Sequence, residues 1–516
     1  MKGKYRKDFT GTCTFKQKGI NNMRECGMLL PIASLPSKYG IGCFSKEAYE
    51  FVDQLKEGGQ SYWQILPLGP TGFGDSPYQA FSAFAGNPYF IDLEQLVGEG
   101  LLTEDECEEA DFGDDDRYIA YDKIYKARFK VLKKAYERWK KDHHQFLKSK
   151  LDPETIEYCF YMAVKNEFGG KSWSEWDEDI RLRKESAVPH YREKLQNEIL
   201  FYAFLQYVFQ KQWKRLKQYA NSQGIRIIGD IPIYVAFDGA DSWAHPELFQ
   251  FDQERRPSAV AGCPPDAFSA TGQLWGNPLY RWDYHKKTKY RWWMKRMEYS
   301  FGLYDVVRVD HFRGFDEYYS IPAGDQTAEF GHWEKGPGYD LFRVLKKKFG
   351  DPDIIAEDLG FLTPSVLNLV EKTGYPGMKV LEFAFDESED SAYLPHKYPA
   401  NCVVYTGTHD NTTLQEWYRT LDPAAKAFAV RYLGNERTPQ GEIHWDYIRL
   451  ALQSAARIAV IPVQDYLGLG GWARINEPST LGKNWRWRMT EEDFTEDLLK
   501  RCRDMAQTYG RCEKEE

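Results

Sequence analysis

Val306-Val307-Arg308-Val309-Asp310-His311-Phe312-Arg313-Gly314-Phe315 reads as a short β-branched strand that runs straight into polar residues and a glycine. Such a strand is covered on both faces, as in a parallel sheet. Alternation puts Val306, Arg308 and Asp310 on one face. An Arg and an Asp at the end of a buried strand are costly unless they pair. Pairing has a chemical consequence, because a guanidinium beside a carboxyl favours the ionised form and lowers its pKa. Asp310 is therefore a candidate charged nucleophile held in a cleft. A structural Arg–Asp pair closing a loop is the competing reading.

Outward from this stretch the same pattern recurs. Strand signals fall at 27–33, 62–68, 226–231, 305–310, 353–357, 378–385, 402–406 and 459–463. Helical periodicity lies between them, at 45–55, 341–349, 365–372 and 447–456. Eight parallel strands with intervening helices close naturally into an α/β fold of the (β/α)8 TIM-barrel type. A doubly wound open sheet is the alternative, but no GxGxxG follows an early strand. Two insertions are expected, at about 70–225 and 236–304, the first mainly helical and the second loop-rich. Residues 23–516 thus read as one catalytic barrel with inserted subdomains and no C-terminal β-sandwich. Residues 1–22 read as a polar, poorly ordered extension, and organised sequence begins just after Met23, which could itself be a start.

Nearly every strand ends in an acid or amide: Asp230, Asp310, Glu357, Asp386, Asp410 and Gln464. In barrels that rim carries the active site. Several carboxylates on one rim suit glycosidic-bond chemistry, where one stays ionised and another carries a proton for the leaving oxygen. Glu357 follows the apolar Ile354-Ile355-Ala356, which favours its neutral form and makes it the better acid. Asp410 lies beside His409 and suits holding sugar hydroxyls. Aromatic residues in loops, as in Trp275-Gly276-Asn277-Pro278, suit the apolar faces of sugar rings. Two rivals stand beside this reading. Asp310-His311, Glu357-Asp358 and His409-Asp410 are metal-ligand types, so a metal-dependent barrel hydrolase is one. No HxH or HExxH spacing supports it, and the expected metal set is none. A non-catalytic glycan-binding barrel is the other, though binding alone needs neither an Arg-paired Asp nor an apolar-walled Glu.

The chain of 516 residues carries a net charge of −9, so a nucleic-acid surface is not indicated. Nine cysteines make an odd count without a CxxC pair, which fits a reducing compartment better than a disulfide framework. No run has the apolar length of a membrane span, and no apolar region follows the basic N-terminus to make a secretory signal. The expectation is a cytoplasmic protein without cofactor, acting as a monomer or weak homo-oligomer.

The motifs Arg308–Gly314 (RVDHFRG), Ala356–Gly360 (AEDLG) and Thr408–Asn411 (THDN) resemble, in order and spacing, those of the α-amylase superfamily. Within it the chain is most similar to the amylomaltases, or 4-α-glucanotransferases, of glycoside hydrolase family 77. The likeness extends to Ser34-Leu35-Pro36-Ser37, GDSPYQAFSAFAGNPY at 74–89, GDIPIYVA at 229–236 and PPDAFSATGQLWGNPLYRW at 264–282. The extension before Met23 is the main departure. This resemblance implies transfer of α-1,4-glucan segments between maltodextrin, starch or glycogen-derived chains by a retaining double displacement. It implies Asp310 as nucleophile, Glu357 as acid/base and Asp410 as transition-state stabiliser. Arg308 and His409 would be their partners. Tyr78 would stack on the sugar before the scissile bond, Trp275 would lie in a loop over the acceptor side, and Asp230 and Asp386 would contact sugar. An α-glucan hydrolase on the same barrel is the alternative.

Overall fold

The computed structural model describes residues 24–143, 151–265, 269–360, 362–386 and 390–513; the expected extension at 1–22 lies outside them. The strands, in chain order, are β1 (Glu25–Leu29), β2 (Tyr62–Gln64), β3 (Arg226–Pro232), β4 (Ala259–Cys263), β5 (Gln273–Pro278), β6 (Val306–Asp310), β7 (Glu317–Pro322), β8 (His332–Lys335), β9 (Ile354–Ala356), β10 (Gly377–Val380), β11 (Cys402–Tyr405) and β12 (Ile458–Pro462). Eight of them form one sheet in the order β10-β11-β12-β1-β2-β3-β6-β9, every pairing parallel. The end strands meet where the Ala356 N–H donates to the Pro376 carbonyl at 2.9 Å. The sheet thereby nearly closes into a barrel, and all eight expected strands are present.

The physical cause is in the side chains. Leu29, Tyr62, Ile228, Val306, Ile355, Val380, Val403 and Val460 cluster as one buried core within the barrel. Their neighbours along the strands, such as Met28, Trp63, Ile227, Val307 and Val404, join the larger core shared with the helices. Strands buried on both faces lack a polar stripe, which is why they read as continuous apolar runs. At Gly229 a side chain is excluded: a Cβ there would lie 2.1 Å from the Tyr304 ring. Glycine lets that ring press on β3 one residue before Asp230.

Between β2 and β3 lie helices Tyr121–His143, Pro153–Glu167 and Gln196–Ser222. Aromatic pairs such as Tyr136–Phe201 and Trp139–Phe204, with centroids 5.6 and 5.2 Å apart, hold the first to the last. Glu154 ties this insertion to the barrel. It accepts from Lys295 at 2.6 Å and lies 2.8 Å from His245 Nε2. Beyond the loops expected after β3, β4 and β5 pair antiparallel and continue through β7 and β8 into a four-stranded sheet ordered β5-β4-β7-β8. This sheet joins segments from both sides of β6 and carries Trp275 to the barrel mouth. After β12 the short helix Val463–Tyr466 and a long loop lead to helix Glu496–Thr508, with no further strand among the described residues. Arg511 then donates to the carbonyls of Glu25, Ala451, Leu452 and Ser454, anchoring the end of the chain at the start of β1.

Candidate active site

Arg308 points from β6 into the mouth and is 3% exposed. One guanidinium nitrogen donates to Asp230 Oδ2 at 2.6 Å, and another lies 3.1 Å from Asp310 Oδ1. A single cation thus serves two acids from neighbouring strands. Asp230 is fully buried, whereas the Asp310 side chain keeps 30% of its surface, so only Asp310 is reachable. Arg308 does lower the Asp310 pKa as the sequence suggests, but it does not set the net direction. Burial pushes the carboxyl up, Arg308 opposes this only in part, Asp230 adds a like charge, and the group rises to about 6.

Glu357 follows β9, the strand paired with β6. Its Oε2 accepts the His311 N–H at 2.7 Å and its Oε1 accepts the Leu359 N–H at 2.8 Å. The backbone supports the same placement, with Phe312 N–H donating to the Glu357 carbonyl and Glu357 N–H to the Val309 carbonyl, at 3.0 and 3.1 Å. His311 turns the chain here with φ of 52°, a left-handed conformation uncommon for a residue with a side chain. Burial first, and the Asp310 charge second, raise the Glu357 carboxyl to about 7, against the lowering pull of Arg308 and the two N–H donors. The direction of this shift is the one that its apolar approach in the sequence suggests.

Asp410 differs. Burial raises it, but His409 at 3.3 Å and Asn476, which donates to Oδ1 at 2.6 Å, outweigh burial and hold it at about 2. Burial alone would lower His409, and the Asp410 charge reverses this so that its pKa is raised. Tyr78 covers the group: its ring stacks on His409 with centroids 5.0 Å apart, and its hydroxyl donates to Asp230 Oδ2 at 2.8 Å. On the other side the Trp275 ring meets His311 edge-on at 4.8 Å.

Tyr78, Asp230, Arg308, Asp310, His409 and Asp410 are therefore joined by direct contacts, with Glu357 and Trp275 adjoining through His311. Asp386 is exposed and lies past the turn Leu381–Phe383 that follows β10. Sequence reasoning missed Asn476, Arg474 and Trp485, all from the loop after β12. Arg474 donates to the Asp410 carbonyl at 2.6 Å. Trp485, with φ of 64°, lies 5.9 Å from the Tyr78 ring and 6.1 Å from His409. The available signal was position: loops after barrel strands build the rim, and this one carries Trp485-Arg486-Trp487-Arg488.

The positive charge between Asp230 and Asp310 is a guanidinium. Among the described residues no group of three or more His, Cys, Asp or Glu is arranged to hold a metal ion. The cleft instead brings three carboxyls to one rim, with the pKa of Asp310 and Glu357 raised by burial and that of Asp410 lowered by His409 and Asn476.

Residues 30–494 match a family model described as 4-alpha-glucanotransferase. A 4-alpha-glucanotransferase of Clostridium butyricum is 49% identical over 487 residues, covering 93% of this chain and all of that protein. One from Streptococcus pneumoniae is 49% identical over 494 residues, covering 95% of this chain and 97% of that protein. An amylomaltase from Streptococcus agalactiae, solved in complex with acarbose, superposes with a TM-score of 0.91 at 41% identity, covering 95% of this chain and all of that one.

Proposed function

The chain belongs to the 4-alpha-glucanotransferase family and is a glucan-transferring enzyme; from that premise we propose the following division of labour. Asp310 attacks the anomeric carbon of a bound α-1,4-glucan while Glu357 gives its proton to the departing glycosidic oxygen. The donor segment is then an ester on Asp310, and the shortened glucan leaves. Glu357, now anionic, takes the proton from the 4-hydroxyl of an acceptor glucan as that oxygen attacks the anomeric carbon and breaks its bond to the Asp310 oxygen. Asp310 departs as carboxylate and Glu357 is protonated again. Two displacements retain the anomeric configuration.

The observation that carries this reading is geometric: Asp310 lies 3.1 Å from the buried Arg308 guanidinium, and Glu357, at the end of the paired strand, is held by the N–H groups of His311 and Leu359. Near neutral pH the two carboxyls' shared proton rests on Glu357, and Asp310 is the nucleophile. Asp410, held ionised by His409 and Asn476, receives sugar hydroxyls and faces the positive charge that develops at the anomeric centre. Tyr78 offers its ring to the sugar before the scissile bond, Asp230 fixes Arg308 and Tyr78, and Trp275 walls the acceptor side. Asp386 contacts sugar further out. Transfer prevails over hydrolysis when an acceptor glucan held beside Trp275 displaces water. No helix among the described residues is long and apolar enough to cross a membrane; the enzyme is proposed as a cytoplasmic monomer or weak homo-oligomer.

Incubation with pure maltotriose tests the reading. Glucose plus a ladder of longer dextrins is the expected product set. Glucose and maltose alone would place the chain with α-glucan hydrolases.

A further inference from the structure

Beneath Asp410 lies a second acidic group that the mechanism does not use. Glu382 is 8% exposed, and its Oε1 is buried without a hydrogen-bond partner. Its Oε2 accepts from Asn411 Nδ2 at 2.9 Å. Asn411 Oδ1 in turn accepts the N–H and the hydroxyl of Thr408, both at 2.9 Å. The Thr408 oxygen accepts the N–H of Asp410 at 3.2 Å. The same glutamate donates its backbone N–H to the Thr406 carbonyl at 3.1 Å, so both ends of the turn 406–411 rest on it.

We propose that Glu382 is a positioning residue, which through Asn411 and Thr408 fixes the turn presenting Asp410 to the substrate. It rests on the role assigned to Asp410 above. Glu382 does this as a neutral acid. The groups around it are Asp465 from helix Val463–Tyr466, Arg474 from the loop after β12, and the Asn411 amide. Arg474 directs hydrogen bonds to the Asp410 and Asn476 carbonyls, at 2.6 and 2.7 Å. Asp465 accepts from Thr406 Oγ1 and Leu414 N–H, at 2.6 and 2.8 Å. An ionised Glu382 would thus lie buried beside another acid with one amide donor. Burial, and then Asp465, hold its carboxyl well above the ordinary range. The protonated acid occupies the same shape as an amide and adds no charge below the three rim carboxylates.

The experiment is steady-state kinetics on maltotriose with Glu382→Gln and Glu382→Leu, with Asp410→Asn as reference and melting temperatures throughout. Glu382→Gln should keep kcat within twofold and leave both limbs of the pH profile in place. Glu382→Leu should lose about ten- to hundredfold in kcat while KM stays within about threefold. If the leucine variant does not fold, Asn411→Ser breaks the same link and should give the same kcat loss. A Glu382→Leu enzyme with unchanged kcat and only a lower melting temperature overturns the proposal. So does a Glu382→Gln enzyme as impaired as the leucine one, because the charge rather than the placement would then matter. An active Asp410→Asn enzyme sinks the underlying reading instead; an inactive one beside an unimpaired Glu382→Leu sinks the positioning role alone.

Discussion

Glu154, with 10% of its side chain exposed, and Asp310, with 30%, are both acids facing cations, yet their pKa values shift in opposite directions. Glu154 has two cations on its two oxygens, Lys295 at 2.6 Å and His245 at 2.8 Å. The His245 hydrogen bond, and then Lys295, outweigh burial and hold it at about 2. Burial alone would lower His245, but its acid partners carry it up to about 10. At the barrel mouth the ratio is reversed. Arg308 is divided between Asp230 and Asp310, and Glu357 adds a third acid nearby. Burial then wins, and Asp310 and Glu357 rise to about 6 and 7. An excess of cations makes an inert clamp between insertion and barrel. An excess of acids leaves carboxyls that exchange protons near neutral pH.

Substitutions should separate the two clusters sharply. Asp310→Asn removes the nucleophile, and kcat on maltotriose should fall by about 10⁴- to 10⁶-fold. Arg308→Met leaves Asp230 and Asp310 without their shared cation, and a loss of about 10²- to 10³-fold in kcat is expected. Tyr78→Phe deletes the hydroxyl that donates to Asp230 at 2.8 Å and lies 3.4 Å from His409 Nδ1. It should cost roughly 1–2 kcal/mol of transition-state stabilisation, seen as a five- to thirtyfold drop in kcat/KM. Lys295→Met removes a cation from the cation-rich cluster. Stability in a denaturant titration should fall by at most about 1 kcal/mol, because the lysine is half exposed, and kcat should stay within twofold. Comparable losses of activity from Arg308→Met and Lys295→Met would erase the distinction between the clusters.

What could be read from the sequence follows the range of the forces involved. The barrel strands were legible because a strand buried on both faces must be apolar along its length, as Val306–Val309 and Ile354–Ala356 are. Their polar ends exposed the rim acids. The sheet β5-β4-β7-β8 was not legible, since its strands lie on both sides of β6 and their pairing is a tertiary fact. What outweighs Arg308 at Asp310 was not legible for the same reason. Arg308 is two residues away, but the acid that competes for it, Asp230, is 78 residues from Arg308 along the chain. Asn476 and Glu382 reach Asp410 only through the folded barrel, and nothing local to either marks them.

The proton's location between Asp310 and Glu357 is the central claim, and the pH dependence of kcat/KM for maltotriose disproportionation reads it. The profile should be bell-shaped, rising as Asp310 ionises through about 6 and falling as Glu357 loses its proton above about 7. In Glu357→Gln the alkaline limb should vanish, with residual activity lowered by about 10²- to 10⁴-fold. An alkaline limb that persists in that variant, or a wild-type profile flat from 6 to 9, would contradict the account.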